Sequence, residues 1–120
     1  MNGVLVVDKP ADYTSFDVVA VVRRLAGREK TGHTGTLDPM ATGVLPILLG
    51  KATRAASLLE DTSKEYRAEF AFGNATDTQD STGEVLARSD VRVTKDALLA
   101  ALPHFRGKIL QEPPMYSAVR

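Results

Sequence analysis

A chain of 120 residues with 43% hydrophobic side chains is long enough to fold as one domain, burying roughly two-thirds of the surface its unfolded form exposes. Its 15 Lys and Arg residues balance its 15 Asp and Glu residues, so composition gives no electrostatic reason of its own to propose a nucleic-acid partner. Cysteine is absent, which excludes disulfides, thiolate zinc sites and cysteine nucleophiles.

No apolar run approaches the ~20 residues a membrane-spanning helix needs, and Met1 precedes a strand-like segment rather than a signal peptide. The chain reads as cytoplasmic, with no membrane partner. Its charge is uneven. Arg23, Arg24, Arg28, Lys30, Lys51 and Arg54 fall in the first half, whereas Asp61, Glu65, Glu69, Asp77, Asp80, Glu84 and Asp90 make the second half more acidic.

Residues 3–8 form a Val/Leu run that stops at Lys9-Pro10, the pattern of a buried strand bounded by proline. A loop leads to Thr14 or Ser15, either of which can cap a helix. Asp17 lies in its first turn, Val18, Val21, Val22 and Leu25 on one face, Arg23 and Arg24 in its last turn, and Gly27 ends it. Residues 32–43 are dense in Gly, Thr and Pro and follow neither period, so they are placed as a loop between packed elements. Residues 44–49 read as a buried strand ending at Gly50, and 51–60 have helical Ala/Leu content. Across 64–72 the apolar residues Tyr66, Ala68, Phe70 and Phe72 alternate with polar ones, predicting a half-buried strand. A polar loop over 73–83, a helix over 94–102 ended by Pro103, and a short strand over 108–111 complete the chain. Strands in runs, several joined by loops too short for a helical crossover, predict an α+β fold: a mixed, mainly antiparallel sheet flanked by helices.

The segment Gly32-His33-Thr34-Gly35-Thr36-Leu37-Asp38-Pro39-Met40-Ala41-Thr42-Gly43-Val44-Leu45-Pro46 carries the chemistry. Pro39 biases Asp38 away from helical geometry and leaves its carboxylate projecting from a turn. Taken alone, an Asp-Pro pair more often shapes a loop than performs catalysis. Tyr66 alone reads as a core aromatic and His33 as a core histidine. The whole segment, however, resembles the catalytic motif of TruB pseudouridine synthases nearly residue for residue. Val7-Asp8-Lys9-Pro10 with Thr14-Ser15 is similar to that family's N-terminal motif, and Lys64-Glu65-Tyr66 to its tyrosine motif. Gln111-Glu112-Pro113-Pro114-Met115-Tyr116-Ser117-Ala118 resembles its proline-tyrosine segment.

The resemblance implies isomerisation of a uridine to pseudouridine, with Asp38 attacking covalently or stabilising positive character at the sugar. It gives Tyr66 a stacking and proton-moving role, and His33 the place vacated when the target nucleotide leaves its stack. Gly35, Thr36 and Leu37 join the substrate site, with Lys9 and Pro10 supporting it from beneath. No cofactor and no metal are expected. Thr76-Asp77-Thr78-Gln79-Asp80-Ser81-Thr82-Gly83 resembles a segment of the bacterial stand-alone branch, which implies the T-arm of tRNA as partner and no obligatory protein partner. The resemblance further implies that residues 1–120 are the N-terminal portion of the catalytic domain. The remaining sheet, an arginine partner for Asp38 and a C-terminal RNA-binding domain would lie elsewhere, leaving this piece alone weakly active or inactive.

Other readings are weaker or stay open. A P-loop at Gly50-Lys51 lacks glycine at Leu45 and Ser or Thr at Ala52. A metal site of His33, Asp38 and His104 lacks paired-ligand spacing. An RNA-binding or RNA-folding module without turnover, and a guide-RNA-dependent synthase, remain as alternatives.

Overall fold

The computed structural model describes residues 1–59 and 63–113, and the chain divides into two units, Met1–Glu65 and Tyr66–Arg120. In the first, strand β1 (Gly3–Lys9), helix α1 (Ser15–Leu25), strand β2 (Thr31–His33) and strand β3 (Gly43–Leu49) are followed by a 3-10 segment, Gly50–Leu58. The strands form an antiparallel sheet of order β1-β3-β2. Strand β3 is therefore central. Leu45, Ile47 and Leu49 point to the face on which Val18, Val19 and Val22 of α1 pack, with Val7, Ala26 and Leu37 at the margin, and Leu48 on the opposite face is fully buried as well. Full burial of each such side chain stabilises by about 1.5–3 kcal/mol.

Pro46 in this central strand is tolerated for a reason that geometry supplies. Its carbonyl accepts a hydrogen bond from Thr34 N (3.3 Å), so its nitrogen also faces the β2 side. There the ladder has already ended at His33. The missing N–H thus costs the β1–β3 pairing nothing.

The helix begins with a capping box. Thr14 Oγ1 accepts from Asp17 N (3.0 Å), and Asp17 Oδ2 accepts from Thr14 N (2.8 Å) and Thr14 Oγ1 (2.6 Å). It ends with Arg28 N donating to Arg23 O (2.8 Å) and Ala26 N to Val22 O (2.9 Å) around Gly27 at φ 69°, a left-handed closure that glycine adopts without strain.

Several sequence expectations need correction. Residues of β1 were expected to be buried, yet Val4 and Val6 are 58% and 64% exposed, because β1 is an edge strand whose outer face is not covered in this unit. The helix buries Ser15, Val18, Val19 and Val22, a stripe rotated from the expected one; Leu25 is 80% exposed and Val19 takes its place. The loop placed at 32–43 is shorter, since Gly32 and His33 pair with β3. The helix expected over 51–60 is a 3-10 run ending at Leu58, and Glu60 lies outside the described residues.

In the second unit, β4 (Asn74–Thr76) and β5 (Val85–Arg88) form an antiparallel hairpin with an irregularity between Ala75 and Thr76. The expected loop over 73–83 is therefore in part a strand. The turn between β4 and β5 is organised by Asp80, whose Oδ1 accepts from Thr78 Oγ1 (2.7 Å), Thr82 N (2.8 Å) and Thr82 Oγ1 (2.6 Å). Any side chain at Gly83 would collide with Asp77 Oδ1 and Thr78 Oγ1. Helix α2 (Lys95–Ala101), capped by Thr94, runs into a 3-10 turn, Leu102–Phe105, at Pro103. The helix expected over 94–102 thus forms over a shorter span, and none of its residues is buried. No strand forms over 64–72 or 108–111, because neither segment finds a ladder partner among the described residues. The antiparallel sheets and flanking helices nonetheless agree with the α+β expectation.

The hydrogen bonds from the Thr14 hydroxyl and then its backbone hold the Asp17 carboxyl below its ordinary value of 3.8. A depressed folded value stabilises above the unfolded pKa and ceases to do so as pH falls through the folded one. Asp17→Asn should therefore remove part of the acid dependence of stability below about pH 4 while leaving its shape at neutral pH. Urea melts of the intact protein from pH 2 to 7 would show it, and superimposable acid limbs would contradict it.

Candidate active site

The loop between β2 and β3 is fixed from beneath on both sides of Asp38. Leu37, immediately before it, is clasped by the hydroxyl of Ser15: Leu37 N donates to Ser15 Oγ (3.0 Å), which in turn donates to Leu37 O (3.4 Å). Pro39, immediately after it, offers its carbonyl to Lys9 Nζ (3.0 Å) and to Asp12 N (2.9 Å). A turn closes between Asp38 O and Ala41 N (3.0 Å). The backbone has little freedom here.

Lys9 is the centre of this support. Its side chain is fully buried, and Nζ donates to Pro10 O (2.9 Å), Tyr13 O (2.5 Å) and Pro39 O (3.0 Å). Three donors meet three acceptors, so the ammonium is satisfied by backbone dipoles, with no carboxylate paired to it among the described residues. The residue joins the end of β1, the chain entering α1 and the Asp38 turn in one contact set. Ser15, the other buried polar residue of the described chain, repeats the arrangement one residue before Asp38. From sequence, Ser15 stands only as a possible cap and as part of the N-terminal motif, not as a support for Leu37. The signal that would have found it is its place on the buried stripe of α1, three residues before Val18, where a hydroxyl needs a partner.

Asp38 itself is exposed. Its side chain makes no hydrogen bond or ion pair with any described residue. A free carboxylate on a pinned turn is suited to attack an electrophilic carbon or to stabilise positive charge forming on it. His33, at the end of β2, is partly buried. Its Nδ1 is enclosed without a hydrogen-bond partner, and its ring meets that of Phe16 edge to face at 5.2 Å and 81°. His33, Thr34, Gly35 and Ala56 line a cleft of about 250 Å³. Lys64 Nζ reaches Thr36 O (3.3 Å) and passes 3.5 Å from where a Gly35 side chain would start.

Of the residues singled out from sequence, Lys9, Pro10, His33, Gly35, Thr36, Leu37 and Asp38 thus all lie in the first unit. Tyr66 belongs to the second, where its ring is 58% exposed and outside any strand. In the proline-tyrosine segment, residues 114–118 lie outside the described residues. No three His, Asp or Glu side chains group closely enough to hold a metal ion among the described residues.

Residues 23–120 match the model of a family described as TruB family pseudouridylate synthase, N-terminal domain. Over its full length the chain is 57% identical to tRNA pseudouridine synthase B of Geotalea uraniireducens (strain Rf4) and 52% to that of Gluconacetobacter diazotrophicus; it covers 39% of each. It is 51% identical to the protein of the same name from Clostridium perfringens (strain ATCC 13124), covering 41%. The chain therefore spans about two-fifths of the length of the curated relatives it matches. Among solved structures it resembles a chain in the crystal structure of a Cbf5-Nop10-Gar1 complex, with a TM-score of 0.67 and 33% identity, covering 98% of this chain and 31% of that one.

Two consequences can be measured. Lys9→Met leaves three carbonyls without their donor, and should destabilise the intact protein by about 2–5 kcal/mol in denaturant melts; a loss below about 1 kcal/mol would show the cage to be dispensable. Ser15→Ala removes the acceptor of the Leu37 amide, so that amide should exchange faster with deuterium while the amides of β3 keep their rates.

Proposed function

We propose, for a chain that belongs to the TruB family of pseudouridylate synthases, that the intact protein converts one uridine in the T-arm of tRNA to pseudouridine through Asp38. The carrying observation is the Asp38 carboxylate, without a partner among the described residues and exposed on a turn whose neighbours Leu37 and Pro39 are both pinned. Three relatives that match the chain from end to end at 51, 52 and 57% identity bear the name of a tRNA enzyme, which supports tRNA as the substrate.

The reaction moves atoms within one nucleotide. The bond from ribose C1′ to uracil N1 breaks, the base turns, C5 bonds to C1′, and the proton leaving C5 is balanced by one gained at N1. Nothing is oxidised and no group is supplied from outside, so the chemistry calls for no cofactor. Asp38 faces a sugar carbon that becomes electron-poor as the glycosidic bond lengthens. A carboxylate lowers that barrier by bonding to the carbon or by holding charge against it. A pinned backbone keeps the carboxylate aimed without reorganisation at the moment of reaction.

Tyr66 supplies a ring on which the turned base stacks and a hydroxyl that helps carry the C5 proton. His33 fills the space left by the target nucleotide, offsetting part of the few kcal/mol that unstacking costs. Gly35, Thr36 and Leu37 border the substrate, and Lys9 with Pro10 holds the floor beneath. The rest of the intact protein completes the sheet, supplies an arginine to face Asp38 and adds an RNA-binding domain, so the 120-residue segment alone turns over weakly or not at all. The enzyme works in the cytoplasm without an obligatory protein partner.

The test is release of tritium from C5-labelled uridine in a tRNA transcript. Asp38→Asn should reduce turnover by the intact protein on the order of 10⁴-fold or more, with the RNA still bound. Undiminished release by that variant would overturn the assignment, and tritium release from a transcript lacking the T-arm uridine would overturn the choice of substrate.

A further inference from the structure

Ser15 and Phe16 open α1 and go opposite ways. Ser15 turns inward to clasp Leu37, whereas Phe16 stands off the helix's buried stripe with 74% of its surface exposed. A phenylalanine so placed contributes little to the core. Its one ring contact among the described residues is with His33, edge to face. That geometry fixes the tilt of a histidine whose enclosed Nδ1 has no hydrogen bond to fix it. His33 in turn lines the cleft with Thr34 and Gly35, which places the Phe16 ring one side chain away from it.

We infer that Phe16 is an RNA-contacting residue: an unpaired nucleobase of the substrate stacks on its exposed ring, which His33 buttresses edge to face. The inference deepens the proposed function and rests on it, because it needs an RNA with unstacked bases at this site. The chemistry favours a base over other occupants. Phe16 brings a flat apolar face with no charge, His33 a second ring nearly perpendicular to it, and stacking on such rings tolerates any base because each has a π-face. Neither ring reads sequence. Phe16 accordingly sets affinity, while Asp38 acts on the sugar.

The experiment measures binding of a T-arm stem-loop RNA to the intact protein by fluorescence anisotropy, alongside steady-state kinetics and thermal melts. Phe16→Ala should weaken Kd and raise KM by roughly 5- to 150-fold, with the loss falling in binding rather than in kcat. Phe16→Tyr, which keeps the ring, should bind like the parent. Phe16→Leu, which keeps apolar bulk without a π-face, should behave like Phe16→Ala. Equal binding by the parent and Phe16→Ala would overturn the inference. So would a Phe16→Leu that binds like the parent, or a Phe16→Ala whose weaker binding follows a fallen Tm. A parent protein that fails to bind the stem-loop would instead bring down the proposed function itself.

Discussion

The first unit depends on one buried cation that no carboxylate among the described residues contacts directly. The Lys9 ammonium lies under the Asp38 turn and spends its three protons on the carbonyls of Pro10, Tyr13 and Pro39. Burying a charge costs several kcal/mol unless it is compensated, and here the compensation comes from backbone dipoles that must be held in place for the cage to exist. The dependence runs both ways. The turn cannot move without stranding the ammonium, and the ammonium cannot leave without stranding three carbonyls. A carboxylate in the same role would compete with the turn for the cation and could swing away on its own side chain. Carbonyls cannot.

Legibility in the sequence follows how local each feature is. The capping box of Thr14 and Asp17 and the closure at Gly27 depend on neighbours a few residues away, and both agree with their patterns; the buried strand expected over 44–49 forms, but Val44 at its start is 71% exposed. The expected strand over 64–72 alternates Tyr66, Ala68 and Phe70 with Glu65, Arg67 and Glu69, yet alternation names a face and not a partner; a ladder needs a second strand. Strand β2 failed in the opposite sense. Thr31–His33 has no recognisable period in three residues, and only pairing with Ile47, Leu48 and Leu49 makes it a strand. The burial stripe of α1 takes Val19 in place of Val21 and Leu25, because all three are apolar and only the position of β3 selects among them.

The candidate site was legible as a list but not as a mechanism of support. The motif around Asp38 names the reactive group and its neighbours. It does not say that Ser15, 22 residues earlier, clasps Leu37 from both sides, nor that Pro39 is held through its carbonyl rather than its ring. Those are long-range bonds to backbone atoms, which every residue possesses, so no side-chain pattern advertises them. Phe16 escaped notice for a different reason: an aromatic off the buried stripe carries no periodic signal, and its partner His33 sits on another element.

Pro46 has a consequence beyond its own tolerance in β3. Because it has no amide hydrogen to offer on the β2 side, the step after His33 can keep only the bond from Thr34 N to Pro46 O and lacks its reciprocal partner. An ordinary residue there would let the two strands continue pairing towards their connection, flattening it into a longer hairpin. The imino acid acts as a stop written into the neighbouring strand. It marks where regular pairing gives way to the tethered turn that presents the Asp38 carboxylate.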